Sequence, residues 1–123
     1  MTEWTSEELK DFADVEALQN RPYEDDGKTF EQDIPTWTVP AGGKLYVRGA
    51  KGGDTKWVAF GTKNGGQVAV NGKKYEVDYE LVTGPAEIEA VTAAFKNKYP
   101  AGPILTMMTG KVAESATVKL VKR

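Results

Sequence analysis

The segment "QVAVNGKKYEVDYELV", residues 67–82, constrains the fold more than any other part of the chain. Asn71-Gly72 is a pair that tolerates positive φ at both central positions of a type I′ turn, the turn whose twist matches two antiparallel strands. The flanking residues alternate, and Val77, Tyr79 and Leu81 share one face. A chain with this hairpin is committed to an antiparallel sheet.

Further extended segments surround it. Residues 16–22 read as a strand, followed by a turn in "YEDDGK". In "TFEQDIPTWTV", residues 29–39, Phe30, Ile34 and Trp37 break strict alternation, and Pro35 marks a bulge or an edge. "PAGG" then turns the chain into "KLYVRGA", where Leu45 and Val47 alternate with Tyr46 and Arg48. "ATVKLVKR" closes the sequence with the alternation of an outer strand, Val118 and Leu120 pointing inward.

Helical signals lie between these strands. Thr5 with Glu8 forms a capping box ahead of Leu9, Phe12 and Ala13. Asp54 or Thr55 caps a second helix over about 55–63, which ends at "KNGG" and gathers Trp57, Phe60 and Gly61 on one side. Pro85 suits the first position of a third helix, where Ile88, Val91, Phe95 and Tyr99 make an apolar stripe. "ILTMMTG" reads equally as a short helix or a loop. The expectation is an α+β domain over residues 1–123: a small barrel of roughly six or seven mainly antiparallel strands, with two or three helices and a paired terminal strand that removes an edge.

Composition limits the chemistry. With no cysteine, disulfides, thiolate metal sites and cysteine nucleophiles are excluded. With no histidine, so are the serine–histidine triad, imidazole ligands and the usual general base near neutral pH. Chemistry must come from carboxylates, lysines, tyrosines or a bound cofactor. No apolar run approaches the roughly 20 residues of a membrane span, and "MTEWTSEELK" lacks the pattern of a signal peptide. The expectation is cytoplasmic residence without a membrane partner. Glu76, Asp78 and Glu80 alternate along one strand, the pattern of a solvated face, and no metal site is assigned.

Charge is segregated. Residues 1–33 hold 3 basic and 11 acidic side chains, whereas residues 34–75 hold 7 basic and 1 acidic. The basic segment contains "LYVRGAKGGDTKW", residues 45–57, a strand end feeding a helix start. A phosphate site needs cations and free backbone N–H groups at such a place. Arg48 offers a bidentate fork, and Lys51 and Lys56 offer point charges. Asp54 as N-cap would itself take the free N–H groups, so a structural connection and an anion cradle both stay open. Trp37 and Trp57 fill a core or stack on a ligand.

The order "PTWTVPAGGKLYVRGAKGGDTKW", a helix, then "GQVAVNGKKYEVDYELV" resembles the split β-barrel superfamily of pyridoxamine-phosphate oxidases, flavin reductases and deazaflavin-dependent nitroreductases. It is most similar to a small bacterial family of unknown function near this group. The resemblance implies a homodimer with cofactor sites between barrel and partner. It also implies an FMN or deazaflavin phosphate held by Arg48, Lys51, Thr55 and Lys56, with Trp57 near the ring or in the core. No catalytic residue is assigned. Relatives often carry a basic turn between the first strands. Here Glu24, Asp25 and Asp26 stand in it and would repel an anionic tail. The alternative to a flavin-type oxidoreductase is therefore a cofactor-free dimeric binding or structural module on the same barrel. Single-stranded nucleic acid is a poor partner for a chain of net charge −2.

Overall fold

A computed structural model describes residues 3–52 and 55–123. In chain order its elements are α1 (Ser6–Asp14), β1 (Leu18–Pro22), β2 (Ile34–Thr36), β3 (Thr38–Ala41), β4 (Lys44–Arg48), α2 (Lys56–Asn64), β5 (Gly66–Val70), β6 (Lys73–Leu81), α3 (Pro85–Lys98), α4 (Pro103–Met108), α5 (Lys111–Glu114) and β7 (Thr117–Lys122). The strands form one antiparallel sheet in the order β2-β1-β5-β6-β7-β4-β3, curled into a nearly closed barrel.

Local chemistry sets several of these elements. The Thr5 hydroxyl accepts from the Glu8 N–H, and the Glu8 carboxylate accepts from the Thr5 N–H, the reciprocal bonds of a capping box. Asn71 and Gly72 take φ of 50° and 79°, so the β5–β6 connection turns with the twist of its strands. Pro35 lies in the edge strand β2, where its missing N–H breaks no ladder. "ILTMMTG" resolves into helix at α4, and the short α5 follows; α1, α2 and α3 are the three helices of seven residues or more, in line with the two or three expected.

Two cores hold the fold. One gathers Phe12, Leu18, Leu45, Val47, Trp57, Val68, Val77, Tyr79, Val118 and Leu120, and Trp4 joins it by donating its indole N–H to the Leu120 carbonyl at 2.8 Å. The other lies under α3, where Val91 and Phe95 meet Val39, Tyr46, Tyr99 and Met108. Because β4 runs between the two cores, every residue from Leu45 to Arg48 is buried. Its alternation therefore sorts side chains between two cores instead of between core and solvent.

The terminal strand differs from the outer strand its pattern suggests. β7 pairs with β6 on one side and β4 on the other, at the middle of the sheet. Val118 and Leu120 are buried as expected. The sheet edges are instead β2 and β3, which are separated along the chain by Trp37 alone. The seam of the barrel is thus a corner of the chain, and Trp37 stands at it.

Candidate functional site

Two regions carry polar chemistry: the connection from β4 to α2, and the seam at Trp37. In the first, Arg48 ends β4 with its side chain inside the protein. Its Nε donates to the Thr117 hydroxyl at 2.9 Å, and its two terminal nitrogens donate to the carbonyls of Met108 at 3.0 Å and Ile88 at 2.9 Å. The guanidinium carbon lies 5.3 Å from the centre of the Phe95 ring, a cation–π contact. Arg48 therefore ties β4, β7, α3 and α4 together, and the same desolvation lowers its proton affinity.

The backbone of the connection is also engaged. Gly49 donates its N–H to Ala116, Gly52 to Gly49, and Thr55 to Gly52. A Cβ on Gly49 would stand 2.9 Å from the Val58 side chain, so this connection is packed onto α2. Lys51 is exposed. Thr55 is the N-cap of α2 but makes no side-chain capping bond, and among the described residues its buried hydroxyl oxygen has no hydrogen-bond partner. The Lys56 ammonium lies 3.8 Å from the carboxylate of Glu31, a buried acidic side chain that sequence reasoning did not single out. Trp57 fills the barrel core, edge-on to Tyr79 with centroids 6.2 Å apart. Asp54, a candidate cap, lies outside the described residues. The structure thus brings Arg48 and Trp57 to the lining of one cavity of about 220 Å³, while Lys51, Thr55 and Lys56 do not line it.

The seam is built differently. Trp37 lies flat on Tyr99, with ring planes parallel and centroids 3.7 Å apart. Tyr99 caps the C-terminus of α3; its hydroxyl donates to the Glu16 carbonyl at 2.6 Å and accepts from the Thr38 N–H at 3.0 Å. Burial, the larger cause, pushes the phenol up to about 12. The preceding residue, Lys98, donates to the carbonyls of Phe12 at 2.9 Å and Thr38 at 2.7 Å. Burial pushes this amine down to about 8, and the negative charge of Asp14 offsets only part of that fall.

Around these side chains opens a groove of about 620 Å³, between the end of α1, Trp37, the end of α3 and the start of α4. Its apolar lining includes Val15, Trp37, Tyr99, Pro103, Ile104 and Leu105; Asp14, Glu16 and Lys98 supply its charges. Trp37 and Ile104 also line the smaller cavity, so they form the ridge between the two. Lys98 and the pairing of Trp37 with Tyr99 were missed from sequence. A usable signal existed: Lys98 falls three residues after Phe95 and seven after Val91, on the apolar stripe of α3.

The acidic residues of β6 engage protein groups. Glu76 accepts from the Tyr23 hydroxyl at 2.6 Å, and Asp78 lies 2.8 Å from Arg123. Among the described residues, no helix is long and apolar enough to cross a membrane.

The architecture is that of an α+β protein: among the described residues, a nearly closed antiparallel barrel of seven strands with five helices, three of them of seven residues or more. Residues 8–120 match the model of the DUF2255 family, described as an uncharacterized protein conserved in bacteria, and the chain belongs to that family. No curated protein and no solved structure shows a significant match to the chain.

Proposed function

We propose that this barrel is a cofactor-free binding module that takes a flat, largely apolar small molecule in the groove beside Trp37 and Tyr99. The observation that carries the reading is the use of Arg48. Its guanidinium is spent on Thr117, Met108 and Ile88 in the interior, leaving it unavailable to a phosphate in solvent. The cavity it lines, about 220 Å³, is below the span of roughly 300–1,000 Å³ usual for ligand sites, whereas the seam groove at about 620 Å³ lies within it. The groove offers an aromatic wall held from behind and only three charged side chains. Such a lining favours an apolar body by area burial and orients it with a few polar groups.

A thermal-shift panel tests this, because a binder of the folded state raises the melting temperature. The expected result is stabilisation by 2-naphthalenemethanol, reduced by Trp37→Ala, and none by FMN, deazaflavin or pyridoxal phosphate. Stoichiometric FMN binding that is lost on joint Lys51→Ala and Lys56→Ala substitution would overturn it.

One observation favours the second reading, a flavin or deazaflavin nucleotide in an oxidoreductase. The Thr55 hydroxyl at the start of α2 is buried and has no hydrogen-bond partner among the described residues, with Lys56 beside it in sequence. A phosphate oxygen there would satisfy it and meet the positive end of the helix dipole. Against this stands the Glu31 carboxylate, already 3.8 Å from Lys56.

A further inference from the structure

Lys98 is a cation in an unusual setting. It is half-buried, it lines both the seam groove and a second groove beside β3, and among the described residues it makes no ion pair. Its nitrogen is held by two backbone carbonyls, Phe12 from α1 and Thr38 from β3. An ammonium has three hydrogens and a neutral amine has two hydrogens and a lone pair. With two hydrogens fixed on carbonyls, one position on nitrogen remains without a hydrogen-bond partner among the described residues: a hydrogen in the acid form, a lone pair in the base form.

We infer that Lys98 is a carbonyl-capturing amine, and that the groove takes aldehydes or ketones with a flat apolar body and holds them as an imine on its Nζ. This deepens, and rests on, the reading of the groove as a small-molecule site. The nitrogen lone pair adds to the carbonyl carbon, the nitrogen's proton passes to the carbonyl oxygen, and a carbinolamine forms. Loss of that oxygen as water leaves the C=N bond, so amine plus aldehyde gives imine plus water, with no oxidant or reductant required. The two carbonyl contacts hold the nitrogen in place for the addition and are given up as its hydrogens leave with the water, while the aromatic wall at Trp37 and Tyr99 receives the body of the reactant.

The groups facing the amine decide how much of it is free base. Asp14, at the end of α1, favours the charged form, and Glu16 lines the same groove. The Tyr99 ring centre, 5.0 Å from Nζ, also favours it, while β3 offers only a neutral carbonyl. Burial opposes them and prevails, bringing the amine down to about 8. A buried lysine kept partly neutral near physiological pH is the form that attacks carbonyl carbons.

The test uses the wild-type protein, 2-naphthaldehyde and sodium cyanoborohydride, which reduces an imine to a stable secondary amine. Digestion and mass spectrometry then give the labelling rate of each lysine. The expected result is labelling of Lys98 on the order of tenfold or more faster than that of exposed Lys96 at pH 7.5, as an amine well below the ordinary lysine value implies. The Lys98 rate should level off above about pH 8, while that of Lys96 continues to climb. Equal rates at the two lysines would overturn the proposal without relying on a variant that must fold. The unreactive alcohol 2-naphthalenemethanol separates the two readings. Stabilisation by the alcohol with no preference for Lys98 removes the imine and leaves the groove. Preferential labelling without stabilisation keeps the reactive lysine and removes the apolar groove as its recognition element. Neither effect removes both.

Discussion

Arg48 and Thr117 face each other across the β4–β7 ladder, and the Nε of the first donates to the hydroxyl of the second at 2.9 Å. That hydroxyl donates in turn to the Glu114 carbonyl at 2.8 Å, so the bond carries the arginine into a network reaching α5. Arg48→Met keeps the bulk of the side chain but leaves the buried Met108 carbonyl without its donor and removes a part-buried bond to Ile88. An unmet buried polar group costs about 1–3 kcal/mol, so the expected loss is about 3 kcal/mol, or about 10 °C in melting temperature. Arg48→Lys should recover little, because one ammonium cannot replace a planar fork aimed at three acceptors. Chemical denaturation of the three proteins checks this; a stable Arg48→Met variant would show the network to be dispensable.

The contrast between Arg48 and the Asn71-Gly72 turn shows what was legible in the sequence. A type I′ turn is a local demand on two residues, and the alternation around it names the buried face, so the β5–β6 hairpin could be read directly. The capping box at Thr5 and Glu8 is local in the same sense. Alternation in β7 correctly marked Val118 and Leu120, yet it carries no information on neighbours, and the strand stands between β6 and β4. Arg48 and Lys98 were hidden for a related reason. A cation at a strand end or in the last turn of a helix usually reaches solvent; here a second layer covers each, and backbone carbonyls far along the chain receive its hydrogens. Those contacts span 40 to 86 residues and leave no mark on local pattern.

Tyr99→Phe isolates the hydroxyl that fixes the seam. The ring stays stacked on Trp37, but the Thr38 N–H and the Glu16 carbonyl each lose a partner. The expected cost is about 1–3 kcal/mol. Hydrogen exchange should show faster exchange of the Thr38 amide while the β5–β6 ladder remains protected. Unchanged protection at Thr38 would mean that another group takes over the bond.

The acidic turn supplies a pH marker. The Asp26 carboxylate accepts from the backbone N–H groups of Lys28 at 2.9 Å and Thr29 at 2.8 Å, and also from the Thr29 hydroxyl. The Thr29 side-chain and backbone bonds are the leading causes that hold its acid constant at about 2, below the ordinary 3.8. A carboxyl depressed on folding stabilises above its unfolded value, and that contribution is lost as pH falls through the folded one. The turn should therefore hold at pH 5 and release between about pH 4 and 2. Carboxyl NMR should place the Asp26 midpoint near 2, and Thr29→Val should raise it.

Lys98 gives the opposite window. Its amine is depressed to about 8 against an ordinary 10.5, so between these values the unfolded chain binds more protons than the folded one. Stability contributed by this group must then rise as pH climbs from about 8 toward 10.5, and stay flat below 8 where both states are charged. Raised tyrosines act in the reverse sense near the top of that range, since unfolded phenols ionise there first. The wild-type profile therefore mixes the two, and the difference between wild type and Lys98→Gln separates them. That difference should grow in favour of the wild type from pH 8 to pH 10 in denaturant titrations at fixed ionic strength. A difference independent of pH would place the Lys98 amine at its ordinary value and make its two carbonyl contacts purely structural.

The close approach of α2 to the sheet yields the last prediction. Gly61 faces Tyr79, and a Cβ there would stand 2.5 Å from Cδ2 of the ring. The ring cannot readily yield: Tyr79 is buried, its hydroxyl donates to the Asn20 side chain, and Trp57 meets its edge. Relief requires α2 to lift or Tyr79 to leave its bond, and overpacking of this kind costs about 1–3 kcal/mol. In an unconstrained helix the same change would stabilise by roughly 1 kcal/mol, since alanine is the better helix former. Gly61→Ala should therefore destabilise, against the helix-propensity trend. Gly61→Ala combined with Tyr79→Leu should recover part of the loss if the clash is its cause. An additive double variant, measured by the same denaturation, would place the cost of Gly61→Ala outside the contact between α2 and Tyr79.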